Sequence, residues 1–341
     1  MLKSSKVFLR TFGSSHRKMT KTAIIGNNPK VPELIEKYKL TKYMIPVYFK
    51  NEGEMLRPGD CDSALIVNSN PKQMEDFLGV QKKIKWIHST MAGVDWVIGN
   101  RLKNSNITLT NAKGAFSESL AEHVLFSILY FTKRTPYFLE TRARHEWAPV
   151  DVDSARNLKV GIIGYGNIGY NIAELLKRSI ESKIYACCNE MSEMKKKYLR
   201  VCDKVYTADD YQKVLTKSDF VVGTLPKTPK TVNYFNMEKF KMMKPSAVFM
   251  NIGRGVTMVE EDLVQALKEG VITGASLDVF PQEPLPATSK LYDMKNVLMT
   301  YHCTDRTPDY WERTMSVFRK ELKNYIKGKA PENLIDKSKA Y

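Results

Sequence analysis

Apolar residues fall in short runs that alternate with stretches of helical spacing along most of the chain. From Lys21, strands are read at Thr22–Gly26, Tyr43–Phe49, Ser63–Asn68, Lys85–His88 and Ile107–Thr110, with helices over Pro32–Leu40 and Pro71–Leu78, the second opened by its proline. A long helix follows from Ser117, an N-cap serine ahead of a stripe at Leu120, Val124, Ser127, Ile128 and Phe131. Thr135–Ala155 reads as mixed and turn-rich, with Trp147-Ala-Pro149 in a loop. A second series gives six strands, at Val160–Ile163, Ile184–Cys188, Phe220–Gly223, Ala247–Asn251, Ala275–Val279 and Val297–Thr300. Helices such as Asp209–Thr216 and Glu260–Lys268 lie between them, and a last helix, Pro308–Ile326, leads back towards the first series. Buried-type strands alternating with helices predict an α/β protein with doubly wound parallel sheets.

The most informative stretch is Lys159-Val-Gly-Ile-Ile-Gly164-Tyr-Gly166-Asn-Ile-Gly169. A strand runs into glycines spaced G-x-G-x-x-G, and a helical pattern (Ile172, Ala173, Leu175, Leu176) follows, the context a dinucleotide site requires. Gly164 permits the tight turn, Gly166 lets the backbone approach a pyrophosphate, and Gly169 lets the helix pack on the strand. The helix N-terminus offers N–H groups and a positive dipole end. An ordinary tight turn is the bland alternative.

Length and composition narrow the classes. The 341 residues suffice for two domains, and no apolar run reaches the roughly 18 residues a membrane span needs. Five cysteines at irregular positions form neither a disulfide framework nor a metal-ligand pattern, which suits a reducing compartment and no metal. The net charge is +16, but Lys3, Lys6, Arg10, Arg17, Lys18, Lys21 and Lys30 precede the first acid, Glu33. A basic, Ser/Thr-rich start with apolar Leu2, Val7, Phe8, Leu9 and Phe12 reads as a mitochondrial transit segment over residues 1–21, the alternatives being a basic tail or, from Met19, a cytoplasmic form. No arginine-rich tract interleaved with aromatics supports nucleic-acid binding.

Three further motifs follow successive strands, where open α/β sheets bind ligands: Asn251-Ile-Gly-Arg254-Gly, Leu277-Asp278-Val-Phe-Pro-Gln-Glu283-Pro284, and Tyr301-His302. With Ser89-Thr-Met-Ala-Gly-Val-Asp95, Thr110-Asn111-Ala-Lys-Gly114, Ala121-Glu122-His123 and Leu225-Pro226-Lys-Thr-Pro-Lys-Thr231, the chain resembles the D-isomer-specific 2-hydroxyacid dehydrogenases over about residues 23–328. The resemblance implies two Rossmann-like domains. Residues 22–116 plus 303–341 would form the substrate domain, and 117–302 an inserted NAD(P)-binding domain, with the cleft at the junction. It also implies a homodimer through the cofactor domain, near the Ser117 helix and Trp147.

The resemblance further implies roles. Arg254, a planar cation, would hold and polarise a small 2-keto acid substrate such as glyoxylate or hydroxypyruvate. Backbone N–H groups at Ala92, Gly93 and Val94 would hold its carboxylate. His302 would be the general acid and base, with Glu283 on its other nitrogen favouring the protonated ring. Gly164, Gly166, Asn167, Ile168, Asn189, Glu190, Leu225, Pro226, Thr231, Ile252 and Asp278 would contact NAD or NADP. Asp278 alternatively caps a turn. His88 and His123 read as structural.

Two departures stand out. The acidic selector expected about 20 residues past the glycines is replaced by Asn189, with Glu190 one place late. Glu190 on the ribose would favour NAD; Asn189 with Lys195–Lys197 would admit NADP. The catalytic histidine follows Tyr301 rather than proline and precedes Cys303-Thr-Asp305-Arg306, so Asp305 bears on substrate choice or local charge. A nucleotide-sensing scaffold, like the family's C-terminal-binding corepressors, is the alternative function. Glu283 disfavours a formate dehydrogenase, in which an amide replaces that carboxylate.

Overall fold

A computed structural model describes residues 19–189 and 196–339. The expected transit segment up to Lys18, Glu190, and the side chains of Lys195, Lys196 and Lys197 lie outside the described residues. Described residues up to Phe116 and from Pro308 form one compact unit, and Ser117–Thr307 form the other. The second division falls after Thr307, where the sequence reading set it after His302.

In the first unit, β1 (Thr20–Ile25), β2 (Met44–Phe49), β3 (Ser63–Ile66), β4 (Trp86–Ser89) and β5 (Thr108–Asn111) form a parallel five-stranded sheet in the order β2-β1-β3-β4-β5. Both faces are covered. Ala23, Ile25, Ala64 and Ile66 join a core with Phe49 and Phe77, while Ile24, Leu65 and Trp86 pack with Phe318 and Leu322 of the helix Tyr310–Ile326. That two-sided burial is why these strands read as apolar runs without polar alternation. Trp86 stacks on Phe318 and Tyr325, with centroids 5.8 and 4.8 Å apart, so the last long helix is anchored on this sheet.

The second unit holds seven parallel strands, one more than the sequence indicated. They are β6 (Lys159–Ile163), β7 (Lys183–Cys188), β8 (Lys204–Thr207), β9 (Phe220–Gly223), β10 (Val248–Asn251), β11 (Gly274–Leu277) and β12 (Val297–Met299), in the order β12-β11-β10-β9-β6-β7-β8. The unforeseen β8 is an edge strand. Its end residues Lys204 and Thr207 are exposed and Val205 and Tyr206 only half-buried, so it carries no apolar run. The turn-rich expectation for 135–155 is also corrected, because Thr135–Ala143 is a helix. Only Thr141 on it is buried, so no core-facing stripe marks it in the sequence.

Candidate active site

The order of the second sheet reverses at β6, which lies between β7 and β9, and the glycine turn leaves β6 at this switch point. Gly164 has φ +101°, a conformation closed to most side chains, and the amides of Gly164 and Tyr165 both donate to Cys187 O, at 3.1 and 3.0 Å. Gly166 caps the helix Asn167–Ile180, and a Cβ added there would meet nothing within 4 Å. A Cβ at Gly169 would lie 2.9 Å from the Tyr165 ring and 3.1 Å from Ile162 Cγ2. Open space before a helix N-terminus, reached through two glycines, fits a dinucleotide pyrophosphate.

Asn167 opens that helix. Its Oδ1 accepts from Ser117 Oγ at 2.5 Å, and its Nδ2 donates to the Tyr198 hydroxyl at 3.1 Å. Tyr198 stacks on Tyr170 with centroids 4.3 Å apart, and its carbonyl accepts from Tyr165 Oη at 2.9 Å. Sequence reasoning missed this aromatic pair, since 27 residues of unrelated pattern separate its members. Ile168 is half-buried on the same turn, and Asn189 is exposed beyond β7.

The loops after β6, β9, β10 and β11 touch in series. A Cβ at Gly164 would come within 3.0 Å of Thr224, one at Gly253 within 2.7 Å of Leu225 O, and one at Gly255 within 1.9 Å of the Phe280 carbonyl carbon. The β9 loop is closed by Thr231, whose hydroxyl donates to Pro226 O at 2.6 Å and accepts from Thr228 N at 2.8 Å. Buried Asn251 fastens the β10 loop, where Ile252 is also buried. Asn251 Oδ1 accepts from Gly253 N at 3.2 Å and its Nδ2 donates to Arg254 O at 3.2 Å. Thr257 Oγ1 donates to the same carbonyl at 2.6 Å. The Arg254 guanidinium, half-buried, donates to Gly253 O at 2.9 Å.

On the same edge, His302 Nδ1 lies 2.7 Å from Glu283 Oε2, and Glu283 Oε1 accepts from Phe280 N at 2.9 Å. His302 has φ +50°, a left-handed conformation rare for a side-chain-bearing residue. Asp278 holds it there. The Asp278 carbonyl accepts from His302 N at 2.7 Å, Oδ1 accepts from Thr300 Oγ1 at 2.6 Å and Cys303 N at 3.2 Å, and Oδ2 accepts from Thr304 Oγ1 at 2.8 Å. Only 2% of Asp278 is exposed, and its carboxylate caps this turn. Thr300 and Thr304 carried no sequence signal for this role. Asp305 is half-buried; burial pushes its carboxyl pKa up, against the opposing charge of His302.

The candidate substrate loop lies in the first unit, after β4. Its successive carbonyls are all taken. Met91 O accepts from Ala112 N at 3.2 Å, Ala92 O from Asn111 Nδ2, and Gly93 O from Trp96 Nε1 at 2.8 Å. Because a trans peptide points its N–H opposite to its C=O, each pinned carbonyl turns the next amide, at Ala92, Gly93 and Val94, the other way. Among the described residues those amides have no hydrogen-bond acceptor.

His88 is fully buried, its Nδ1 lies 2.8 Å from Thr110 Oγ1, and burial lowers its pKa to about 3. His123 is half-buried, and burial lowers its pKa against the opposing charge of Asp278. Burial pushes the Cys187 and Cys202 thiols up to about 12. Among the described residues no group of three His, Cys, Asp or Glu could hold a metal ion, and no helix is long and apolar enough to cross a membrane.

A glycine turn at a sheet switch point, with an arginine and a paired histidine and glutamate on the same carboxyl edge, defines a nicotinamide-dependent dehydrogenase. Residues 125–304 match the D-isomer specific 2-hydroxyacid dehydrogenase NAD-binding domain. The glyoxylate/hydroxypyruvate reductase B of Pectobacterium carotovorum subsp. carotovorum is 31% identical over 71% of this chain and 76% of its own length. The glyoxylate reductase of Thermococcus litoralis is 28% identical over 80% and 83%. The NADPH-dependent glyoxylate/hydroxypyruvate reductase of Sinorhizobium meliloti, solved with NADP and sulfate, superposes with a TM-score of 0.78 at 26% identity, covering 94% of this chain and all of that one. The chain belongs to the D-isomer-specific 2-hydroxyacid dehydrogenases and is an NAD(P)-dependent oxidoreductase acting on CH–OH donors. The scaffold alternative is not favoured.

Proposed function

We propose that the protein reduces a small 2-keto acid, glyoxylate or hydroxypyruvate, to the 2-hydroxy acid. The 2.7 Å His302–Glu283 pair, on the sheet edge that carries the glycine turn and Arg254, supports this most directly. When bound, the nicotinamide coenzyme supplies the hydride. His302, its Nδ1 facing Glu283, gives a proton from Nε2 to the substrate's carbonyl oxygen, and the neutral ring takes it back in the oxidative direction. The Glu283 carboxylate stabilises the imidazolium that the reduction requires. Arg254 polarises the carbonyl through a charge-assisted hydrogen bond. Asp278 acts through the turn it caps, as a positioning residue. The amides of Ala92, Gly93 and Val94 hold the substrate carboxylate.

Gly164, Gly166, Asn167 and Ile168 would hold the coenzyme pyrophosphate, with Leu225, Pro226, Thr231 and Ile252 around the rest of the dinucleotide. Asn189 and Glu190 would read the adenosine ribose. The exposed Phe126, Leu129, Phe138 and Leu139 on two successive helices, with Trp147 97% exposed, support a homodimer through these helices and the Trp147 loop. The basic, acid-free start supports mitochondrial import.

The test is a substrate panel run on the purified protein with NADH and with NADPH, followed by absorbance. Glyoxylate or hydroxypyruvate is expected to drive coenzyme oxidation. Failure of every small 2-keto acid with both coenzymes would overturn the proposal.

A further inference from the structure

We infer that the segment after the last long helix sets the substrate-carboxylate loop, with Asn333 as a positioning residue for substrate binding. This rests on the reading that the amides of Ala92, Gly93 and Val94 hold the carboxylate. All the groups involved lie in the first unit.

The loop's middle carbonyl, Ala92 O, is held by the side chain of Asn111, the last residue of β5. Asn111 is buried, and its Oδ1 accepts from Lys113 N at 3.2 Å. Its own carbonyl accepts from Asn333 Nδ2 at 3.1 Å, and the same Nδ2 donates to Lys113 O at 2.9 Å. One amide group therefore bridges the two carbonyls on either side of Ala112, whose N–H holds Met91 O. Two of the three straps on the loop depend on the turn that Asn333 clasps.

Asn333 is itself held from three sides. Glu321, 2% exposed on the helix Tyr310–Ile326, accepts from the amides of Glu332 and Asn333 at 3.1 and 2.9 Å. Leu334 bridges Thr110, and Ile335 N donates to Leu109 O at 2.9 Å while its side chain enters the core. Lys337 Nζ donates to Ser105 O at 2.6 Å and Ile107 O at 2.7 Å. A surface tail with no task would not need a buried carboxylate and a half-buried lysine to fix two amide protons on one turn.

The experiment measures KM for the keto acid, KM for coenzyme and kcat in the full chain. Asn333→Ala is expected to raise keto-acid KM roughly five-fold, the loss of about one hydrogen bond, with coenzyme KM and kcat little changed. Asn333→Asp keeps the shape but turns acceptors towards two carbonyl oxygens. It should raise keto-acid KM further than alanine does, which mere packing at this site would not produce. Asn111→Ala separates the two failures. If it raises keto-acid KM while both Asn333 variants match the wild type, the loop reading stands and the role of Asn333 is overturned. If all three leave KM unchanged, both fall. A melting temperature for each variant shows that the chain is folded, and an Asn333→Ala effect confined to kcat would also overturn the inference.

Discussion

The two units build their sheets alike and equip them differently. At the carboxyl edge of the seven-stranded sheet, the loops carry Arg254, Glu283 and His302, and each loop packs so closely on the next that a single added Cβ would collide. At the end of β4 in the five-stranded sheet, the loop offers backbone amides aimed by the capture of its carbonyls. Moving a proton needs a titratable side chain held by a partner. Holding a carboxylate needs only oriented N–H groups. On the proposed reading, the first kind of site depends on charges and should fail at one side-chain change. The second depends on straps and should weaken by degrees.

That contrast can be broken by substitution, and the sharpest attempt is His302→Ala. It is expected to lower kcat by roughly 10²–10⁴-fold with little change in coenzyme affinity; a variant with wild-type turnover would remove the distinction between the units. Gly255→Ala comes next. Its Cβ would fall 1.9 Å from the Phe280 carbonyl carbon, so the loops bearing Arg254 and Glu283 must separate. A stability loss of about 2 kcal/mol, read from the urea midpoint, should accompany a drop in kcat.

Acid should weaken the first unit through His88. Burial lowers the His88 pKa from 6.5 to about 3, so the folded state binds fewer protons there than the unfolded state does. Its stability contribution is complete above the unfolded value and is lost as pH falls from 6.5 towards 3. Melts of His88→Phe over that window should show a flatter acid limb than the wild type. The smallest effect is expected from Thr304→Val. It removes one of the hydrogen bonds on the Asp278 carboxylate, should cost about 1 kcal/mol, and should lower kcat only a few-fold.

Legibility in the sequence followed the same division. Gly164, Gly166, Arg254, Glu283 and His302 stand in short motifs behind apolar strands, so both residue type and place in the fold could be read. The straps could not. Asn111 reaches Ala92 across 19 residues, and Asn333 reaches Asn111 across 222. Neither leaves a period or a spacing. Asp278 was visible as a residue, but its capping role depends on Thr300, Cys303 and Thr304 folding back on it. β8 and the helix Thr135–Ala143 escaped because neither presents a continuous apolar face.

The bridge between Thr110 and Leu334 also bears on solubility. β5 is the outermost strand of its sheet, and an outermost strand with free peptide groups recruits further strands from other molecules. A proteolytic cut just after the last long helix would bare that template, so clipped protein should precipitate or form fibrils under conditions in which the intact chain stays dispersed.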